Sequence, residues 1–305
     1  MSELTPGQAF ARAFAKDGDR AEVTFDFTIT DAFQPTKDRP RVTVRNLFRK
    51  RPAPDGPVRF WTESRPTAAE AARVHESGLR REAAFRSGVA EAGTRPITAW
   101  VQVPAELADD EEAVAAFVDF RLLVRLATAE NQALTYTLLD RPDVARLPYH
   151  GDYVAGLMAA CNEIEQTGAT AHAMIVNPHD YYFHLVGTGV LEDLARGGTL
   201  ISRTRMVERG RALVGDFAMA ARLLDGGRSV IRVAEPPAGT FAEPGLAVCA
   251  EIHEGIALHL PTHFFLVEPA ASAAHLTAAA PAALTAAPAD HLTAATSAPR
   301  PRTGQ

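Results

Sequence analysis

The stretch Val186-Gly187-Thr188-Gly189-Val190-Leu191-Glu192 follows an apolar run and opens a short helix pattern, the setting in which a glycine-rich turn cradles a dinucleotide phosphate. Where such a turn has its third glycine this chain has Glu192, and a carboxylate at a helix start repels the anion that bare N–H groups would hold. The segment reads as a flexible loop, and no cofactor is expected. Histidines gather in the second half of the chain, at His172, His179, His184, His253, His259 and His263. His253 and His259 share one face of a predicted strand, but six residues of extended chain span about 20 Å, too far to share one ion unless the strand bends sharply. No metal site is expected. No His-Glu-x-x-His, Gly-x-Ser-x-Gly, Walker-type or Cys/His nucleophile pattern occurs. No catalytic residue is assigned, and a small-molecule enzyme built on the His, Asp and Glu side chains near 179–193 is the rival reading from another class.

A different chemistry is written into the first sixty residues. Arg39, Arg41, Arg45, Arg49, Lys50 and Arg51 form a run with no acidic residue among them, and positions 39, 41 and 45 would share a strand face. Three readings are open: a solvated strand, an exposed basic surface that pairs with an acidic surface of a neighbouring subunit, or contact with nucleic acid. Two β-type runs, 41–45 and 58–62, flank Pro52, Pro54, Asp55-Gly56 and Pro57, which predicts a long hairpin with a proline-stiffened tip. A projecting hairpin has little of its own chain to pack on, so oligomerisation is an attractive explanation.

The elements that must position these residues follow from the patterning. The 305 residues carry 31 Lys and Arg against 37 Asp and Glu, a net charge of −6, with 47% apolar residues. That is an ordinary globular composition, and the acidic balance argues against nucleic-acid binding by the molecule as a whole. A chain of this length buries about three quarters of its unfolded surface and needs no staple. Cys161 and Cys249 match no ligand spacing, and a reduced, cytoplasmic setting is expected. No signal-peptide pattern opens the chain and no apolar run approaches the roughly 18 residues of a membrane span, so no membrane partner is expected.

Phe10 and Phe14 predict a short opening helix, and Val23, Phe25, Phe27 and Ile29 an alternating strand. Thr67 with Glu70 has capping-box spacing before an Ala-rich helix. Val101–Val103 reads as a strand, and the acids at 109–112 precede a long helix running to about Leu134. A further helix starts near Asp152, with Val154, Leu157, Met158, Cys161 and Ile164 on one stripe, and stops at Gly168. Then come a strand at Ala173–Val176 ended by Asn177-Pro178, a short helix at 190–196 closed by Gly197-Gly198, and an alternating strand at 246–260. Glu254 interrupts the apolar positions of that strand, and Gly255 is read as a bulge. Beyond Pro269 near-copies of one phrase (His275-Leu276-Thr277-Ala278-Ala279, Ala283-Leu284-Thr285-Ala286-Ala287, His291-Leu292-Thr293-Ala294-Ala295) predict a disordered Ala/Thr/Pro-rich tail over 269–305.

The motifs Val89-Ala90-Glu91-Ala92-Gly93-Thr94-Arg95-Pro96, Met174-Ile175-Val176-Asn177-Pro178-His179-Asp180 and Ala212-Leu213-Val214-Gly215-Asp216-Phe217, in this order and spacing, resemble stretches of encapsulin shell proteins and tailed-phage major capsid proteins. The resemblance covers about residues 5–268. Leu194-Ala195-Arg196-Gly197-Gly198-Thr199-Leu200-Ile201 looks more like encapsulins, whereas Val214-Gly215-Asp216-Phe217 and Pro6-Gly7-Gln8-Ala9-Phe10 look phage-like. It implies an α+β, Hong Kong 97 phage-like capsid fold: an N-terminal arm over 1–38, an extended loop over 39–65, a peripheral domain over 66–150 completed by 229–268, and an apical domain over 151–228.

Within that resemblance Arg45, Arg49, Lys50, Arg51, Asp55 and Gly56 fall in the inter-subunit extended loop, and Gly187, Thr188, Gly189 and Glu192 in a pore loop at a symmetry axis. Some capsids of the family cross-link a loop lysine to an asparagine of the peripheral domain; Lys50 supplies an amine, but no asparagine follows Asn177, so a non-covalent shell is expected. The implied function is a non-enzymatic icosahedral shell of about sixty or more copies of this chain, the number of equivalent positions icosahedral closure provides. It would enclose cargo enzymes in the cytoplasm, with access through small pores. The alternative is a phage or prophage capsid enclosing DNA, the one reading in which nucleic acid is a partner.

Overall fold

The computed structural model describes residues 4–25, 43–53, 56–64, 86–235 and 246–270. Helix α1 (Pro6–Asp17) is opened by a reciprocal cap: the Gln8 N–H donates to Thr5 Oγ1, and the Thr5 N–H donates to Gln8 Oε1. Strands β1 (Glu22–Thr24), β2 (Arg49–Pro52), β3 (Val58–Ser64), β4 (Arg86–Ala92) and β5 (Arg95–Val103) follow, with a tight turn at Arg45–Leu47 before β2. The Asp110 carboxylate accepts the Glu112 and Ala113 N–H groups to start α2 (Glu111–Phe117). A wide turn at Val118–Leu122 passes α2 into α3 (Leu123–Leu139), five residues beyond the expected end. The second half runs β6 (Ala145–Tyr149), α4 (Tyr153–Gln166), β7 (Ala173–Val176), α5 (Pro178–Asp180), α6 (Val190–Arg196), β8 (Leu200–Arg203), β9 (Ala212–Gly215), β10 (Ala221–Val233), β11 (Leu246–Leu258) and β12 (Phe264–Pro269).

Two five-stranded sheets result. In the first the order is β1-β10-β11-β5, and β2 pairs in parallel with β10. β1 lies along Val230–Arg232 and β2 along Arg222–Asp225, so two short strands share the edge of β10 that faces away from β11. The second sheet has the order β6-β12-β9-β7-β8. β6 and β12, which the sequence reading gave to the peripheral domain, thus belong with strands it gave to the apical domain, and the first half of β10 belongs to the first sheet.

The long helix joins the two layers. Leu122 at the end of the wide turn and the early helix residues Leu123, Leu126 and Ala127 are buried against β5, β10 and β11, in a cluster with Val101, Ile231 and Ala250. Its end, Leu134 and Leu138, is buried with Leu213, Phe217, Phe264 and Leu266 of the second layer. Under the second sheet, α4 starts where expected, with Asp152 accepting the Val154 and Ala155 N–H groups, and Gly168 takes a left-handed φ of 82° just past its end. Its buried stripe is Tyr153, Gly156, Leu157, Ala160 and Ile164, rotated from the expected one so that Met158 faces outward.

Three expectations are corrected. Among the described residues the run 58–62 does not pair with 43–45: β3 pairs with β4, Val58 opposite Ala92 and Ser64 opposite Arg86, as a separate two-stranded ribbon. Residues 44–47 form a turn rather than a strand, because their side chains turn inward: Val44, Leu47 and Phe48 enter the core beside Phe217. The irregularity in the β10–β11 pairing falls between Asp225 and Ser229 in β10, and Gly255 pairs regularly with Leu224. Arg39, Arg41, Asp55, the Thr67 cap and the tail beyond Ala270 lie outside the described residues, as do Phe27 and Ile29.

Candidate functional site

The β3–β4 ribbon is anchored on one face and bare on the other. Phe60 is buried among Ala53, Leu224 and Ala257. The Thr62 hydroxyl and the Glu63 N–H donate to the His259 carbonyl at 2.9 and 3.0 Å, and the His259 Nδ1–H donates to the Trp61 carbonyl at 3.0 Å. Trp61 points the other way, as alternation requires, and stands directly opposite Val89. Both are exposed, at 53% and 67%, and they are flanked by the exposed Arg59–Glu91 pair at 3.4 Å. Apart from a tilted ring contact of Trp61 with His259, centroids 5.7 Å apart, this apolar pair is left open on an otherwise polar ribbon, as surfaces that meet a partner often are.

The predicted extended-loop residues divide. Arg49, Lys50 and Arg51 are exposed on β2, and Gly56, with φ of 92°, turns the chain toward β3. Arg45 is not an exposed loop residue. It is buried, with its guanidinium bonded to Glu130 of α3 at 2.6 Å, to Glu254 of β11, and within 3.5 Å of Asp225 of β10. A guanidinium that finds carboxylates inside the fold is drawn out of the surface strand, which corrects its assignment to the inter-subunit loop.

The glycine loop leads into α6. Gly187 and Gly189 have φ of 81° and 78°, which a side chain would strain, and Gly187, Thr188, Gly189 and Glu192 are all exposed. The Thr188 hydroxyl donates to the Leu185 carbonyl at 2.7 Å, and Asp193 is paired with Arg196 at 2.7 Å. Before the loop, Tyr182 and Phe183 are exposed at 59% and 74%, with the Arg203 guanidinium over the Tyr181 ring at 4.6 Å. Sequence reasoning missed these aromatics and Trp61; an exposed aromatic announces itself only when the pairing of its element is known.

The histidines make separate contacts rather than one cluster. His179 stacks on Phe183 with ring centroids 4.3 Å apart, His253 Nε2 lies 2.8 Å from Glu251, and His259 serves the ribbon. Burial holds the His172, His259 and His263 imidazoles below their usual pKa, with Arg222 and Arg51 adding to the effect at His259. A groove between α1 and α2, about 440 Å³ in volume, is lined by Gln8, Arg12, Glu111, Asp119 and the half-exposed Phe120.

Set beside solved structures, the chain aligns with the virus-like particle from Pyrococcus furiosus at 13% identity and a TM-score of 0.57, over 78% of this chain and 96% of that one. The chain shares the fold of that particle's protein. Alignments to the capsid of the cyanophage P-SCSP1u (12% identity, TM-score 0.49, 89% of this chain and 100% of that one) and to Mycobacterium phage Ogopogo (16%, 0.49, 80% and 100%) are looser. No family model matches the sequence, and no curated protein does. This fold is the α+β, phage-capsid-like architecture that the order of motifs implied. No helix among the described residues is long and apolar enough to cross a membrane.

Proposed function

We propose that the chain is a self-assembling, non-enzymatic shell protein of an encapsulin-type compartment, many copies of which close around cargo enzymes in the cytoplasm. The observation that carries the reading is the fold alignment over nearly the whole length of the Pyrococcus furiosus particle protein. The bare Trp61–Val89 face supports it, since an isolated two-stranded ribbon is marginal in water until its open face is covered. In this reading the extended loop is the β3–β4 ribbon, and Arg49–Arg51 run along its root. The peripheral domain is the first sheet with α1, α2 and α3. The apical domain is the second sheet with α4, α5 and α6, and its Gly187–Gly189 loop lines a pore where copies meet. Exposed Glu192 would disfavour anions there.

Closure supplies the mechanism. Each contact is weak, but a ring of head-to-tail contacts that closes makes every further contact intramolecular. The experiment is expression of the chain alone, size-exclusion chromatography with light scattering, and negative-stain microscopy. Closed particles of megadalton mass are expected; a monomer or dimer at micromolar concentration, with and without co-expressed neighbouring genes, overturns the proposal. Nuclease-protected DNA inside the particles would transfer it to the phage-capsid alternative.

A further inference from the structure

Arg45, Glu130 and Glu254 form a buried charge cluster that the surface reading does not use. Glu130 is fully buried, and Glu254 and Arg45 are 4% and 5% exposed. Both carboxyl groups converge on one atom, Arg45 Nη1, through their Oε1 oxygens. The Oε2 oxygen of each has no hydrogen-bond donor, although the two carboxyl groups lie within hydrogen-bonding reach of each other. The charged groups facing Glu254 are Arg45 from the turn before β2, Glu130 from α3 and Asp225 from β10. With one guanidinium between two dry carboxyl groups, and a third, partly solvated carboxylate on Nη2, full ionisation would leave an uncompensated negative charge in the core.

We infer that Glu130 and Glu254 bind one proton between them in the folded chain, and that this proton locks the turn at 45–47, and with it the root of the ribbon, to the long helix. The proton bridges the two carboxyl groups, leaving a single net negative charge opposite Arg45. Four elements meet there: the turn, α3, β10 and β11. Burial, with Glu130 beside it, raises the Glu254 carboxyl to about 9, so the site empties only in alkaline solution. On emptying, the two carboxylates repel, and the least supported of the four elements, the short turn leading into edge strand β2, is the one free to move. The lock is a property of the single chain; its consequence for a shell, loosening of the ribbon contact at alkaline pH, rests on the proposed function.

Two readouts test it on the native protein. Infrared spectra should show a protonated carboxylic acid C=O band at pH 7 that fades with a midpoint near pH 9. The band should be missing in Glu254→Gln. Should that variant not fold, Glu130→Gln serves, because a lone Glu254 then ionises against Arg45. Trypsin reports the lock itself. Cleavage after Arg49 and Lys50 should accelerate at least about tenfold in the wild type relative to Glu254→Gln between pH 7 and 9.5, since linkage of one proton changes an opening equilibrium by up to about tenfold per pH unit. Absence of the acid band at pH 7, its persistence in the glutamine variants, or equal acceleration of cleavage in both proteins would overturn the inference. Neither readout requires particles, so a chain that never assembles would defeat the shell reading and leave this one standing.

Discussion

Replacing Trp61 and Val89 together by serine should cripple assembly while leaving the subunit folded. The indole exposes 53% of its surface, which for a side chain of about 250 Å² is roughly 130 Å² of apolar area. At about 25 cal/mol per Å², covering it against a second copy contributes about 3 kcal/mol, and the two-thirds-exposed Val89 adds about 1 kcal/mol. Ordering of the ribbon and imperfect fit cancel a good part of this, so about 2 kcal/mol per contact is a conservative figure. That corresponds to an increase of about 30-fold in the concentration at which particles appear. The inner face loses only the tilted contact of the Trp61 ring with His259: Phe60 keeps its contacts with Leu224 and Ala257, and the bonds to His259 run through the backbone of Trp61 and Glu63 and the side chain of Thr62. Circular dichroism and thermal melting should therefore match the wild type, while light scattering over a dilution series reads the threshold. A threshold that moves by less than about threefold, with the fold intact, would refute the assignment of this face to a contact between copies.

Further outcomes follow from the packing. Gly255→Ala places a Cβ inside van der Waals contact of the Gly93 carbonyl oxygen, a backbone atom that cannot step aside, and should lower stability by about 1–3 kcal/mol in chemical denaturation. Asp180 is buried and accepts the Gly210 N–H at 2.6 Å, so Asp180→Ala should cost about 1–3 kcal/mol, read as a lower melting temperature, by leaving that donor unpaired. His172, His259 and His263 are held neutral by burial; folding excludes protons that the unfolded chain binds below about pH 6.5. Their contribution is complete above that pH and is lost as pH falls below it, so His259→Gln should flatten the acid limb of a stability profile; an unchanged limb would count against the buried neutral ring.

What could be read from the sequence was local. Asp152 before an amphipathic run, Asn177-Pro178 after four apolar residues and Gly197-Gly198 after Arg196 each carry their own start or stop chemistry, and the elements stand where those residues put them. Partner choice was not local. Asp55-Gly56 between two β-type runs looks like a hairpin signal, yet the strand that follows it pairs across 86–92, a choice made by packing of Phe60 and Ala90 rather than by turn chemistry. Arg45 shows the same limit in electrostatics. The run 39–51 contains no acid, so its charge reads as solvated; the partners lie 85 and 209 residues away in sequence. The one clue was Glu254, a carboxylate at an inward position of a strand otherwise apolar on that face.

The order of the strands also sets a timetable. The first sheet is centred on β10 and β11, and in the second β12 lies between β6 and β9, so both layers are completed by segments from the last third of the chain. β1 has nothing to pair with until residues 230–232 exist, and β6 must wait for 265–269. A nascent chain can form α1 and the long helix early, because their bonds are local, but the first sheet cannot close before Leu258 is made, nor the second before Pro269. In the proposed shell reading, copies able to recognise one another would therefore exist only once residue 269 has been made, which would keep earlier nascent chains, with their unpaired strand edges, out of a growing assembly.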